Sequence, residues 1–291
     1  MQLQTALMQD WDDLRLIMVV GRRGGLAPAG RDLGLHPTTV ARRLNALEAR
    51  LGAALTIRAH DGHIALTDAG RSLAEHAAVM ETEARKAHEA LGRSVARIEA
   101  VVRLTAVPVL TDRFLAPRIG TLLAAHPGLR VELVADARDL NLTLREADLA
   151  IRLARPTAGG AQVTARRIGD LTYGVFGTPD APARWISYDP SLAHLPPAGF
   201  IAAQGGTSAA VAVTDANTAQ EAAAAGLGWA VLPVIVGAAD PRLVRIAAAR
   251  PPAREVWLLS HVSQKGLAGV AAVADWLAGL DWSARQMTSG A

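Results

Sequence analysis

Apolar residues in the first fifty positions recur every three or four residues, interrupted by glycine and proline at short intervals. Leu14, Ile17, Met18 and Gly21 make one helical face, which the Gly24-Gly25 pair stops, so a first helix ends near Arg23. Pro28 suits the first turn of a second, short helix, and Gly34 supplies the positive-φ stop after Leu33. Pro37 opens a third, in which Val40, Leu44, Leu47 and Leu51 line one side and Thr38, Thr39, Arg42 and Arg43 the other. Leu55-Thr56-Ile57-Arg58, the polar turn His60-Asp61-Gly62-His63 and Ile64-Ala65-Leu66 then read as a short hairpin beside the helices.

From Thr67 turn signals vanish, and one helical pattern runs to about Arg97. Leu73, Met80 and Ala87 repeat every seven residues, as do Ala77, Ala84, Leu91 and Ile98, giving a narrow apolar seam that wants a partner. Glu81 with Arg85 and Glu89 with Arg93 have the spacing of outward-facing ion pairs. A helix packed on its own C-terminal domain is the alternative to pairing with a second copy. Beyond Val101, strands and helices alternate as in an α/β unit. Strands are predicted at Val101 to Val107, Leu129 to Ala135, Asp148 to Leu153, Tyr173 to Phe176, Phe200 to Ala203, Val211 to Val213, Ala230 to Leu232 and Val256 to Leu259. Helices are predicted at Phe114 to Ala125 and Leu267 to Leu280. Between Phe176 and Phe200 five prolines (Pro179, Pro182, Pro190, Pro196, Pro197) are expected to limit regular structure.

Charge sharpens the reading of the N-terminal helices. Between Leu14 and His63 eight arginines face three acids, a local excess of five, whereas the whole chain carries only +3. A basic helix held by its neighbour fits the major groove, where the arginine fork bonds guanine or clamps phosphate and threonine offers a hydroxyl and a methyl. A solvated charged face is the alternative meaning of such a run. The candidate DNA contacts are Arg31, His36, Pro37, Thr38, Thr39, Arg42, Arg43, Arg58, His60 and His63.

The stretch AxRDLGLxxTTVxRRLxxLExxLG, Ala29 to Gly52, followed by Leu66-Thr67-Asp68-Ala69-Gly70, resembles the LysR-type transcriptional regulators, by motif over about the first seventy residues and by general layout beyond. The resemblance implies an α+β chain with a winged helix-turn-helix at 1–66 and a linker helix at 67–98. Beyond these it implies a two-lobed α/β effector domain like the periplasmic binding proteins, lobe 1 at 99–160 and 265–285 and lobe 2 at 161–264. It also implies pairing of linker helices through Leu73, Met80, Ala84, Ala87 and Leu91, hence a homodimer or homotetramer on double-stranded DNA. Two departures stand out. His36 occupies the family's capping serine position and reads either as a poorer cap or as a DNA contact. Thr56 stands where the family has a wing phenylalanine.

In such folds a ligand sits outside the carboxyl ends of the strands, near helix N-termini. Pro108 to Thr111, Ala202 to Thr207 with Gly205-Gly206, and Asn217-Thr218 with a capping box through Glu221 qualify. Pro108, Val109, Thr111, Arg138, Gln204 and Thr218 are the candidate effector residues, with ordinary turn and cap chemistry as the alternative at each. Asp112 argues against an anion at the first place. A regulator with a reduced cleft and no effector is the second reading.

No cysteine is present, which removes disulfides and cysteine metal sites. Neither a signal peptide nor a membrane-length apolar run is evident, so a cytoplasmic protein is expected, with no membrane partner. Catalytic and metal motifs are missing and the eight histidines are scattered, so no enzyme activity and no cofactor are expected. Gly226-Leu227-Gly228 is half of a dinucleotide fingerprint and reads as a helix stop.

Overall fold

The computed structural model describes residues 11–59, 63–92, 98–136, 142, 146–156, 162–206, 211–246 and 250–283, the side chains of 88–92 excepted. They fall into two compact units. One joins Met1–Ala96 with Asn141–Asp148 and His261–Leu267, and the other comprises Arg97–Leu140, Leu149–Ser260 and Ala268–Ala291.

In the first unit, α1 (Trp11–Arg23), α2 (Leu26–Leu33) and α3 (Pro37–Leu51) follow the expected punctuation. Gly34 closes α2 in the left-handed region at φ 66°, and Pro37 occupies the first turn of α3. Strands β1 (Thr56–Arg58) and β2 (Ile64–Leu66) pair antiparallel with Ile57 opposite Ala65. The long helix α4 runs over Asp68–Gly92. One core holds these pieces together: Leu16, Ile17, Met18 and Val20 of α1 meet Val40, Leu44 and Leu47 of α3, Leu55 beside the wing, and Ala74, Ala77 and Ala78 of α4. Methyl side chains on α4 let its axis come close to α1, and the buried Thr82 hydroxyl donates back to the Ala78 carbonyl at 3.0 Å.

The expected seam on α4 is therefore split. Ala77 is buried in this core and Leu73 packs against it, while Met80 (49% exposed), Val79, Ala84 and Ala87 remain uncovered. The Leu91 side chain lies outside the described residues. The predicted Glu81–Arg85 pair does not form: Glu81 accepts from Arg22 of α1 at 2.6 Å. Arg85 instead donates to Asp148 at 3.3 Å and to Gln264 at 3.0 Å. Tertiary partners offer buried or half-buried geometry that an exposed i,i+4 pair, worth a few tenths of a kcal/mol, does not match.

In the second unit, β3 (Ala100–Ala106) runs parallel to β4 (Leu129–Ala135), paired from Ala100 with Leu129 to Ala106 with Ala135. Between them Pro108–Leu110, a π turn at Thr111–Leu115 and a 3-10 turn at Ala116–Arg118 lead into α5 (Ile119–Ala125), where the sequence pattern predicts one continuous helix. With β5 (Leu149–Arg152), β6 (Val163–Leu171) and β12 (Arg254–His261) they form a five-stranded sheet of order β4-β3-β5-β12-β6. The second lobe has β7 (Tyr173–Gly177) between β10 (Ala230–Pro233) and β11 (Val244–Arg245), and a parallel pair, β8 (Ile186–Tyr188) with β9 (Val211–Val213). Both pairings of β7 are antiparallel.

One strand assignment and one lobe assignment are corrected. Phe200 to Ala203 belongs to a helix, α6 (Pro196–Ala203), because the two prolines read as breakers supply the fixed φ of its first turn. Val256 to Leu259 lies in the first-lobe sheet, antiparallel to β5 with Leu259 opposite Ala150, so 161–264 is not one lobe. The chain instead crosses between sheets at Thr172 and again ahead of Arg254. Helices α7 (Ala216–Ala224) and α8 (Ala268–Gly279) complete the unit, with α8 stacked on β3 and β6. Trp282, 2% exposed, packs on Phe114 with ring centroids 4.9 Å apart.

The wing meets α4 where Gly70 stands. A Cβ there would come 2.0 Å from the Leu55 carbonyl oxygen, which itself accepts from the Thr67 amide at 3.0 Å. Glycine to alanine in a helix normally stabilises by about 1 kcal/mol. Gly70→Ala should reverse that sign and lower the urea stability of the first unit by about 2 kcal/mol or more, because the obstacle is backbone.

Candidate nucleic-acid interface and effector cleft

The face of α3 opposite its core carries the chemistry. His36 caps the helix: its Nδ1 lies 2.9 Å from the Thr38 hydroxyl and 3.5 Å from the Thr38 amide. The cap reading of His36 is thus the one the geometry takes, and Thr38 is exposed beside it. Pro37 is the first residue of the helix and Thr39 is half-buried. Arg42 points to solvent, and among the described residues it, Arg15, Arg31 and Arg58 have no protein partner.

Arg43 departs from expectation. Arg42 and Arg43 are about 100° apart around the helix. Arg43 turns toward α1, where it donates to Asp13 Oδ1 at 3.2 Å. Arg50 donates to the other carboxylate oxygen at 2.7 Å. Counting charge from Leu14 leaves out Asp12 and Asp13, and with them the local excess falls from five to three. Arg22 and Arg23 are also occupied, by Glu81 and Asp32. Among the described residues, the exposed, unpaired arginines of the head are thereby reduced to the four named above.

The wing is tied at both ends. Glu48 Oε1 accepts from the Leu55 amide at 2.8 Å, the Thr56 amide at 3.0 Å and the Thr56 hydroxyl at 3.1 Å. Thr56, where the family has an aromatic residue, therefore contributes a polar anchor in place of a buried ring. The Ile64 amide donates to the Gly24 carbonyl, and His63 packs over that turn. Arg58 is exposed on β1, while His60 lies outside the described residues.

The expected effector residues fare differently. Val109 (6% exposed) and Thr111 (5%) are turned into the first-lobe core, where the Thr111 hydroxyl donates to the Ala106 and Val107 carbonyls, each at 3.3 Å. Pro108 is half-buried at the start of its turn, Gln204 is exposed after α6, and Arg138 lies outside the described residues. The capping box through Glu221 is replaced: Asp215 caps α7, accepting from the Thr218 amide at 2.9 Å and the Thr218 hydroxyl at 2.6 Å. Thr218 is thereby committed to the helix.

Contacts that sequence reasoning did not reach join the lobes instead. Asn217 of α7 donates to Asp112 at 2.6 Å, and Arg113 donates to Glu221 at 2.8 Å. Glu221 also accepts two bonds from Arg242, at 2.9 and 3.1 Å. Arg242 in turn grips the buried Asp240, which accepts a further bond from Gln220 at 2.8 Å. Hydrogen bonding by Arg242, then by Gln220, holds the Asp240 carboxyl well below the usual carboxylate range, and Arg242 lowers Glu221 likewise. Asp112 and Glu221 are more than a hundred residues apart in the chain, and no local pattern marks them as neighbours.

A winged helix-turn-helix head with an exposed basic helix, followed by a long helix and a two-lobed α/β domain, is the architecture of a DNA-binding protein with a small-molecule-type domain attached. Residues 11–71 match the bacterial regulatory helix-turn-helix model of the lysR family, and residues 96–281 match the LysR substrate binding domain. The chain belongs to the LysR family.

It is 35% identical over 167 residues to the Mau operon transcriptional activator of Paracoccus denitrificans, covering 56% of each chain. To an HTH-type transcriptional regulator of Xanthomonas campestris pv. campestris it is 31% identical over 173 residues, 60% of this chain and 49% of that one. These matches span about half the length of the curated relatives. A full-length OxyR variant of Pseudomonas aeruginosa superposes with TM-score 0.67 at 18% identity, over 94% of this chain and 99% of that one. Full-length LysG of Corynebacterium glutamicum, solved with bound effector Arg, gives 0.58 at 20%, over 92% and 98%. At such identity the likeness is one of fold. Among the described residues no helix is long and apolar enough to cross a membrane, and no group of His, Cys, Asp or Glu could hold a metal ion.

The Arg242 network has a pH signature. A carboxyl whose folded pKa is depressed contributes stability in full above its unfolded value of about 4 and loses it as pH falls toward the folded value. Arg242→Met should therefore lower stability at neutral pH and raise the pH at which acid unfolding begins. The two proteins should converge at the lowest pH, where Asp240 is protonated in both. Tryptophan fluorescence followed through an acid titration reads this directly.

Proposed function

We propose that this chain is a transcriptional regulator that binds double-stranded DNA sequence-specifically, as a homodimer or a pair of dimers, under the control of a small molecule in the interlobe cleft. The observation that carries the DNA-binding half is the exposed set Arg31, Thr38, Arg42 and Arg58, its arginines without protein partners, presented by a helix pair with a capped second helix and by a wing anchored to it. Arg42 suits a guanine edge, Thr38 a base or phosphate, and Arg31 and Arg58 flanking phosphates. Two heads are needed for two half-sites, and the uncovered Met80, Val79, Ala84 and Ala87 stripe of α4 is the surface through which they pair. The protein works in the cytoplasm and catalyses no reaction.

The effector half draws support from the matched substrate binding domain and from three buried side-chain atoms without a protein partner: Thr105 Oγ1 in β3, and Asn217 Oδ1 and Gln220 Oε1 on α7. Buried polar atoms are ordinarily bonded, and a ligand or water offering donors would satisfy the two amide oxygens. Binding would act by shifting populations between two assemblies. A second reading, regulation without an effector, is favoured by the Asn217–Asp112 and Arg113–Glu221 bonds that already join the lobes. A thermal-shift screen of small acids, aromatic and amino, separates the two, since a ligand of the folded state raises its melting point.

Gel shifts on DNA flanking its own gene, against random duplex at moderate salt, test the central proposal; equal binding to both would sink it. Arg42→Ala should weaken operator binding by about 1–3 kcal/mol and relax preference at one base position. Met80→Glu places charge in the pairing stripe and should shift the sedimentation coefficient from dimer to monomer. An unchanged coefficient would remove α4 as the pairing element.

A further inference from the structure

We infer that Asp13 is a positioning residue that withholds Arg43 and Arg50 from the DNA backbone, and thereby sets how sharply the head distinguishes its operator from bulk DNA. Asp13 is 7% exposed and uses both carboxylate oxygens, Oδ1 for Arg43 at 3.2 Å and Oδ2 for Arg50 at 2.7 Å. The exposed Asp12 carboxylate stands 3.9 Å from Arg43. The two arginines are seven residues apart on α3, so both lie on the side of the helix that faces α1.

The energetics favour keeping them there. Pulling either arginine out to a phosphate would leave a carboxylate, largely withdrawn from water, short of a partner, which costs more than an exposed phosphate contact returns. Phosphate contacts raise affinity for every sequence alike, whereas base contacts discriminate. A recognition helix carrying Arg42, Arg43 and Arg50 all free would gain indiscriminate affinity, and Asp13 leaves only Arg42 of the three without a protein partner. The same bonds fix the rotation of α3 against α1, so that Thr38 and Arg42 are the side chains presented.

This inference rests on the DNA-binding reading, and its test keeps the two apart. Binding of random duplex and of the DNA flanking the gene is measured across a salt series for the wild type, Asp13→Asn, Asp13→Glu and the double variant Asp13→Asn with Arg43→Gln. For Asp13→Asn, the slope of log affinity against log salt on random duplex should steepen by about 0.9 for each arginine released, and its affinity there at low salt should rise by roughly an order of magnitude. Its preference for the flanking DNA should fall. Asp13→Glu should restore the wild-type slope, and the double variant should reverse the part due to Arg43. A purely structural role for Asp13 would weaken both duplexes together without steepening the slope, and that result overturns the inference.

Should Asp13→Asn fail to fold, phenylglyoxal labelling of the wild type, read by mass spectrometry, decides the point. Arg42 should react fast in the free protein and be protected by duplex; Arg43 and Arg50 should react slowly with or without it. Fast labelling of Arg43, or protection that appears only with DNA, overturns the inference. If the wild type binds neither duplex, the DNA-binding reading falls and this inference falls with it. If it binds and the Asp13→Asn slope is unchanged, only this inference falls.

Discussion

α1 is the element on which the N-terminal unit is built, because it is packed from two sides. Leu16, Ile17, Met18 and Val20 are all but fully buried, covered by α3 and by the alanines of α4. A head of three short helices and a two-stranded wing has little interior of its own, and small domains are marginal for this reason. Here the shortage is met by the long helix, whose Ala74, Ala77 and Ala78 complete the core. The recognition helix is thus held by the same packing that anchors the linker, and a change in the angle of α4 cannot be absorbed without disturbing α1.

Around that core the charged groups are used sparingly. Each of Arg22, Arg23, Arg43 and Arg50 has an acid from another element or from beyond its own helical turn, and Glu48 spends one oxygen on three donors of the wing. Exposed pairs of this sort contribute little stability, but a carboxylate almost withdrawn from water, as at Asp13, fixes orientation because a second geometry would leave it unpaired. The effector domain repeats the pattern. Asp240 is buried and saturated by Arg242 and Gln220, and through Glu221 and Arg113 that network reaches the turn after β3.

Much of the head was legible because its signals are local. Gly34 and Pro37 mark helix ends by backbone preference alone, and Val40, Leu44 and Leu47 mark the buried face by period. Legibility faded where two readings of one residue compete. Pro196 and Pro197, which read as breakers, start α6; Val256 to Leu259 is a strand either way, and only its partner β5 assigns it to the first sheet. Val109 and Thr111 sit at a place where ligands commonly bind, yet their side chains face inward, which position in the chain does not reveal.

By itself, then, the sequence determined the family motif, the helix-turn-helix with its wing, the long helix and the α/β character of the remainder, all of which depend on spacing within a few residues. Tertiary structure decided which arginines are free, which stripe of α4 is uncovered, and how the two lobes are joined. The physical reason is reach: Asp13 and Arg43 are separated by thirty residues and Asp112 and Asn217 by 105, and periodicity says that a face is apolar or charged without saying what will cover it.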